Sequence, residues 1–438
     1  MSPKVSAKGI PDRGNVGDLS NLPLGVPLTF VEQLHKAKRA GTHVDYRMGT
    51  PGGMFSWALP KGLPTEPGQK HLAVTQPLHA WSYNDFEGTI GSGYGSGTVE
   101  QLNKGDVVIL SRTPNSLKFT RSDVRGAPIY NMIRTKQGNW ITFIQKDDAP
   151  SVIQLYSKEH FKSVPISEVA RIMEEGNYTA TPKIDGAGAI ATIKANGVDV
   201  YSIRRDKDGK LIRYTDHIGG LRNLQIPKEL EGRSFRGEVF AERDGRVLPP
   251  QEISGLLNST LSNTLRKKMR ENITMRMAAL AELEDGGEQY SPERMAELTK
   301  RLNIPSIVTP PTYKDPTMLK KQIALMEKGK HPLTNEGVVI YNYKGKPIKS
   351  KLVNEADVVI RNIFPADSQD PRAGGFDYSL PNSDKVVGRV GSGFDHATLK
   401  DMLANPDRYV GRTARVVNYG QFDEGAYRSP SFISLHEG

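Results

Sequence analysis

The chain contains no cysteine in its 438 residues, which excludes disulfides and cysteine-zinc ribbons. It also lacks any apolar run approaching the ~20 residues of a membrane-crossing helix. The amino end has no signal-like apolar core, so a cytoplasmic location is expected. Negative charge is in short supply. Against 49 Asp and Glu stand 59 Lys and Arg, a net charge of +10, which favours a polyanionic partner such as nucleic acid. Membrane surfaces attract basic chains too, but nothing here supplies an anchor. The length suggests about three domains, each large enough for its own core.

Composition and patterning divide the chain. Residues 1–27 are rich in Gly, Pro, Ser and Asn and read as a mobile arm. From residue 28 to 148, short alternating strands such as Gly105–Leu110 and Trp140–Ile144 are punctuated by glycine turns, which predicts a small β-barrel. Asp147–Ser151 reads as a linker. Pro165–Met173 reads as a helix capped by Ser167, leading into the strand that carries Lys183. Ser291–Leu302 and Thr317–Lys328 have helical spacing, whereas Asn272–Ala278 reads as strand. Leu256–Arg270 is polar and basic; a surface insertion near DNA and a solvated helix are both open readings.

The strongest chemical signal is Lys183-Ile184-Asp185-Gly186. It is followed in order by Phe235-Arg236-Gly237-Glu238, Asn335-Glu336-Gly337-Val338-Val339-Ile340-Tyr341 and Lys349-Ser350-Lys351. A lysine amine that attacks a nucleotide α-phosphate must be unprotonated when it does so, and nearby cations favour that state. Lys349 and Lys351, two apart on a strand, would point to one face and could supply that field or neutralise a triphosphate. Asp185 and Glu238, expected at strand ends, could accept ribose hydroxyl protons or orient the lysine. Glu336, at a turn before an apolar strand, could hold a divalent metal.

A second constellation lies near the amino end. His43-Val44-Asp45-Tyr46-Arg47 alternates, so on a strand His43, Asp45 and Arg47 share one face. Imidazole with carboxylate suits manganese or zinc, and an adjacent arginine suits a phosphate. Farther on come Ser56-Trp57-Ala58-Leu59-Pro60-Lys61-Gly62, Leu78-His79-Ala80-Trp81-Ser82-Tyr83-Asn84-Asp85-Phe86-Glu87-Gly88 and Gly93-Tyr94-Gly95-Ser96-Gly97-Thr98-Val99.

The four ordered segments from Lys183 to Lys351 resemble the motifs of ATP-dependent DNA ligases, members of the covalent nucleotidyltransferase superfamily, and the likeness runs from about Tyr178 to Gly438. Asn354–Ile360, Val390–Phe394 and Tyr427–Phe432 are similar to that family's passage into an OB-fold, its glycine turn and its terminal strand. The amino-terminal strings, from about Phe30 to Gly105, are similar to the 3′-phosphoesterase module of bacterial end-joining ligases. The resemblance implies a multidomain α+β chain. Its parts would be a small barrel at 28–148, a central nucleotidyltransferase domain of ATP-grasp-like α+β ligase architecture at 149–353, and an OB-fold at 354–438.

The same resemblance assigns roles. Lys183 would carry AMP, with Asp185, Glu238, Glu336, Lys349 and Lys351 as catalytic partners. Thr181, Pro182, Ile184, Gly186, Arg204, Arg205 and Arg428 would line the ATP site, and Glu238 and Glu336 would hold magnesium. Gly188 stands where the family usually has arginine, so Arg204 or Arg205 would take over its contacts; Thr181 stands where glutamate is common. In the amino-terminal module, His35, His43 and Asp45 would bind manganese or zinc, with Arg47 and His79 on the phosphate and Tyr83 supporting them. The His35–His43 separation is longer than the family's, which a looped-out Ala40-Gly41 would absorb. Absence of cysteine argues against the NAD-dependent ligase class, which carries a zinc module.

The implied function is sealing of nicks in double-stranded DNA by a monomer, joined to metal-dependent cleaning of blocked 3′ ends. Tethering the two sites would raise their effective concentration at one break. Lys385, Arg389, Lys400, Arg408, Arg412 and Arg415 in the last domain would track phosphates. An RNA ligase or other covalent nucleotidyltransferase uses the same lysine chemistry, and a non-catalytic scaffold that binds DNA breaks is the reading outside enzymes.

Overall fold

A computed structural model describes residues 15–93, 95–124, 126–146, 161–284, 287–342, 346–367, 369–422 and 424–436. Residues 1–14 of the expected arm, Tyr94, the linker Asp147–Ser151 and the terminal Glu437-Gly438 lie outside the described residues. The chain is multidomain and mostly sheet with short helices. The described residues form two compact units between which the chain passes more than once. One joins the residues up to 146 with Ile184–Pro310, and the other joins 161–183 with those from Pro311 onward.

In the first unit, nine strands make one sheet: β1 (Pro27–Ala37), β2 (Gly41–Thr50), β3 (Gly53–Leu59), β4 (His71–His79), β5 (Gly88–Ile90), β6 (Gly97–Thr113), β7 (Ser116–Arg121), β8 (Ile129–Arg134) and β9 (Trp140–Ile144). β1 pairs with both β2 and β6, so the hydrogen-bonded order β1-β2-β3-β4-β9-β8-β7-β6 returns to β1. Alternation sends Phe30, Tyr46, Trp57, Phe119 and Trp140 into one core. There Tyr46 stacks on Phe30 and Phe119 at 5.8 and 5.7 Å; each such side chain contributes roughly 1.5–3 kcal/mol by burial. The expected strand Gly105–Leu110 is the interior of the longer β6. Part of the expected arm is structured: Asp18 caps a single 3-10 turn, and Leu19 and Leu22 join the core.

The same unit holds a second sheet ordered Leu211–Arg213, Gly197–Arg205, Ala187–Lys194, Ser234–Arg243, Thr274–Glu284 and Gly287–Gln289. Helix Pro292–Leu302 starts at Ser291, whose hydroxyl accepts from the Arg294 N–H, as its spacing predicts. Leu256–Arg270 differs from both expectations. It belongs to two helices, Pro250–Asn258 and Leu261–Glu271, and Leu256, Leu257, Leu261 and Leu265 are buried. Its basic side chains masked an apolar stripe.

The second unit has a four-stranded sheet ordered Lys162–Ser163, Ile348–Lys351, Gly337–Asn342 and Tyr178–Pro182. Helices Ile166–Glu174 and Pro316–Glu327 bury Val169, Ile172, Leu319 and Ile323 with its Val338 and Ile340. The first helix begins two residues earlier than one capped by Ser167 would, because Pro165 holds the capping position with no side-chain acceptor. A five-stranded sheet follows, ordered Val386–Val390, Ala373–Ser379, Asn354–Pro365, Thr413–Asn418 and Ser431–Leu435. Its core gathers Phe376, Tyr378, Val390 and Val416, with helix His396–Ala404 packed against it through Met402. No helix of the described residues is long and apolar enough to cross a membrane.

Candidate functional site

Strand register assembles a lysine–carboxylate corner in the second unit. Strand Tyr178–Pro182 pairs antiparallel with Gly337–Asn342 so that Pro182 faces Val338, and the Lys183 N–H donates to the Gly337 carbonyl at 2.8 Å. On the other side, Lys351 faces Gly337. Glu336, one residue before the strand, therefore has a lysine on either flank. Lys183 Nζ donates to Glu336 Oε2 at 2.6 Å, and Lys351 Nζ lies 3.1 Å from Oε1. Gly337 is required where it stands: its φ is +133°, and a Cβ would meet the Ser350 carbonyl at 2.1 Å. Burial pushes the Glu336 carboxyl upward, but the charges and hydrogen bonds of Lys183 and Lys351 outweigh it and hold the group below its ordinary range.

Neighbours extend this corner. Lys349, opposite Val339, shares the strand face of Lys351. Lys351 also sits over the Tyr419 ring, 4.4 Å from its centre, a cation–π contact that sequence reading missed. Thr181 is buried and its hydroxyl has no hydrogen-bond partner among the described residues. Pro182 is buried beside it. Arg428 is placed by its backbone: its N–H donates to Gly420, and its carbonyl accepts from Tyr419.

The rest of the expected nucleotide residues lie in the first unit. Asp185 is in a loop, and Glu238 lies within strand Ser234–Arg243 rather than at its end, opposite Gly188. A Cβ on Gly186 would come within 2.2 Å of the Val239 carbonyl, so only glycine fits after Asp185. Ile184 is buried. Arg204 is exposed, and Arg205 already donates to the Gly209 carbonyl at 2.9 Å, closing a turn. Glu238 and Glu336 thus belong to different units.

The amino-terminal constellation gathers three side chains that could hold a metal ion. β1 and β2 form a hairpin in which His35 is directly opposite His43, with Ala37 opposite Gly41. The extra sequence separation is the tight turn itself: Gly41 is paired in the strand, so the expected loop-out of Ala40-Gly41 does not occur. One ligand atom from each of His35, His43 and Asp45 lies within 4.8 Å of the others. Asp45 sits between the rings, 3.3 Å from His35 Nδ1 and 3.4 Å from His43 Nε2. The other nitrogen of each ring meets a backbone carbonyl, His35 Nε2 at Gly95 and His43 Nδ1 at Gly41. In the tautomers that donate to those carbonyls, the facing nitrogens carry lone pairs, so the donor chemistry fits a divalent ion.

Around it, Arg47 is 1% exposed. It donates to Asp45 at 3.1 Å and lies over the Tyr83 ring at 4.9 Å. Its other partner is Gln33, which sequence reading missed. The fully buried Gln33 amide accepts from Arg47 and donates to the carbonyls of Tyr83 and Phe86. That one side chain binds β1 to the segment crossing the site; the sole sequence signal was its place two residues before His35 on the same strand face. His79 packs 5.2 Å from the Tyr83 ring, and burial and then the Arg47 charge press its pKa down to about 4. Burial disfavours a charged His43, but the hydrogen bond and charge of Asp45 prevail and raise its pKa. Asp45 is held far below the carboxylate range because its partners overcome its burial.

The chain is 35% identical over 125 residues to the multifunctional non-homologous end joining DNA repair protein LigD of Mycobacterium tuberculosis, covering 26% of this chain and 15% of that protein. It is 32% identical over 167 residues to the LigD protein of Pseudomonas aeruginosa, covering 35% and 19%. The chain thus spans less than a fifth of the length of these relatives. A solved Lig E DNA ligase structure is similar at 15% identity and a TM-score of 0.45, over 64% of this chain and 98% of that one. Residues 33–127, which include His35, His43, Asp45, Arg47 and His79, match the family of the DNA Ligase D 3′-phosphoesterase domain.

Proposed function

We propose that the chain is an ATP-dependent DNA ligase fused to a metal-dependent 3′-end-processing module, acting as a monomer on nicked double-stranded DNA. The observation that carries this reading is the Lys183–Glu336–Lys351 corner, formed by three of the four ordered motifs. In this reading residues 28–148 close as a small barrel, 149–353 form the nucleotidyltransferase domain and 354–438 an OB-fold.

Lys183 Nζ attacks the α-phosphorus of ATP; the bond to the pyrophosphate oxygen breaks, and the amine proton leaves. AMP then passes from the lysine to the 5′-phosphate of a nick, and the 3′-hydroxyl displaces it as the phosphodiester forms. Lys349 and Lys351 neutralise phosphate charge, Glu336 orients Lys183, and Asp185 and Glu238 take the ribose hydroxyls. The unpartnered Thr181 hydroxyl is available to the adenine, and Arg428 and Arg204 contact the phosphates; Arg205 is committed to its turn. Glu336 would hold a magnesium ion, which when bound supplies positive charge at the α-phosphate.

In the amino-terminal module, His35, His43 and Asp45 hold a manganese or zinc ion, which when bound supplies charge on a 3′-phosphate. Arg47 grips the phosphate, fixed by Asp45 and Gln33, and His79 and Tyr83 wall the other side. The test is a DNA nick bearing either a 3′-hydroxyl or a 3′-phosphate, incubated with ATP or GTP. The reading expects ATP-dependent sealing of the first, and of the second only when manganese is present. Sealing confined to RNA would convert the assignment to an RNA ligase, and binding without nucleotide uptake would favour a scaffold.

A further inference from the structure

β6 carries four buried apolar residues in a row, Val107-Val108-Ile109-Leu110. Alternation puts Val107 and Ile109 into the core of the first sheet, so Val108 and Leu110 point the opposite way, where a strand facing water should be polar. They are covered by helix Leu261–Glu271, whose Leu261 and Leu265, one turn apart, form a separate cluster with Val108, Leu110 and Ile129. Beside it, Arg266 makes a two-pronged pair with Asp106 at 2.6 and 2.7 Å. Asn223 Nδ2 donates to the Leu110 carbonyl at 3.2 Å, and Arg213 to the Ala127 carbonyl at 3.3 Å.

From this contact we infer an interaction surface within the chain: the Leu261–Glu271 helix docks the metal-bearing module onto the sheet that carries Glu238, holding both as one rigid body. The inference rests on the function proposed above and changes one part of it. A flexible tether raises concentration but lets the two modules wander; a docked pair presents both to one DNA end in fixed relation. The apolar cluster holds the contact together. The Arg266–Asp106 pair is partly exposed, so it contributes little strength and instead sets register. A nick with a blocked 3′ end is therefore cleaned and sealed in a single engagement.

The experiment uses full-length Leu265→Asp and the charge swap Asp106→Arg with Arg266→Asp, beside Arg266→Asp alone. Hydrogen exchange is read at Val108–Leu110 and Leu261–Leu265. In parallel, manganese-loaded protein is bound to a 3′-phosphate nick, then chased with excess unlabelled nick so that only single-engagement sealing is scored. Leu265→Asp should lose protection and cut single-engagement sealing roughly tenfold or more, the scale of effective concentrations, while sealing of a 3′-hydroxyl nick stays within about twofold. Arg266→Asp should fall in the same direction, and the swap should restore it, which separates docking from misfolding. Protection unchanged in Leu265→Asp, or single-engagement sealing unchanged once protection is lost, overturns the inference. If wild type removes no 3′-phosphate, the processing reading fails on its own, and exchange in the three variants still decides docking.

Discussion

Glu336→Gln probes the corner most sharply, because the substitution keeps shape and removes charge. The wild-type carboxylate accepts from Lys183 at 2.6 Å and faces Lys351 at 3.1 Å. The amide can accept from one lysine, but its NH2 then points at the other, leaving two cations without an anion between them. Charge-assisted bonds contribute about 1.5–3 kcal/mol each in protected sites. The lysine side chains are 23% and 32% exposed, so screening argues for the low end, about 3 kcal/mol for both together. At about 1.4 kcal/mol per tenfold, AMP transfer to the enzyme should slow about a hundredfold. Rapid-quench measurement of label transfer from ATP reads this step alone. Sealing of a nick already carrying AMP on its 5′-phosphate does not need Lys183 to be oriented, so it should fall less if Glu336 acts through the lysine, and equally if it chiefly holds metal. Label transfer at the wild-type rate would refute the argument.

Three other outcomes follow from the geometry. His43→Ala leaves His35 and Asp45 too few to hold an ion, so manganese binding by calorimetry and 3′-phosphate removal should both be lost while 3′-hydroxyl nicks are still sealed. Gly186→Ala forces a methyl to within 2.2 Å of the Val239 carbonyl, which should lower stability by about 1–3 kcal/mol in a denaturant titration; an unchanged midpoint would mean that the loop gives way freely. Asp216, buried between Arg222 and Arg213, has its pKa lowered because these partners overcome its burial. Its folded value lies below the unfolded one, so its contribution is complete above about pH 4 and is lost as pH falls through the folded value. Asp216→Asn should therefore be less stable than wild type at pH 7, with the gap closing only in acid; a gap independent of pH would contradict this.

Local pattern carried much of the site. The period-2 alternation of His43, Asp45 and Arg47 predicted their shared face, and the Glu-Gly step before an apolar run predicted the edge where Glu336 sits. What depends on long-range pairing was hidden. The His35–His43 alignment follows from hairpin register, which sequence separation obscured. Leu261 and Leu265 were concealed among Arg266, Lys267 and Lys268, and the surface they cover lies about 150 residues earlier on β6. Gln33 carries no motif, because its importance lies in three hydrogen bonds to other segments. The expected phosphate-tracking cations of the last domain are mostly balanced: Arg389, Lys400, Arg408 and Arg415 each meet an aspartate. Composition counts charges but does not say which are already paired.

The central claim is that Lys183 Nζ carries AMP. Protein incubated with ATP and magnesium, quenched, digested and mapped by mass spectrometry should show one AMP, on the peptide containing Lys183, and none in Lys183→Ala, which should also fail to seal nicks. AMP on another residue, or nick sealing by Lys183→Ala, would contradict the account.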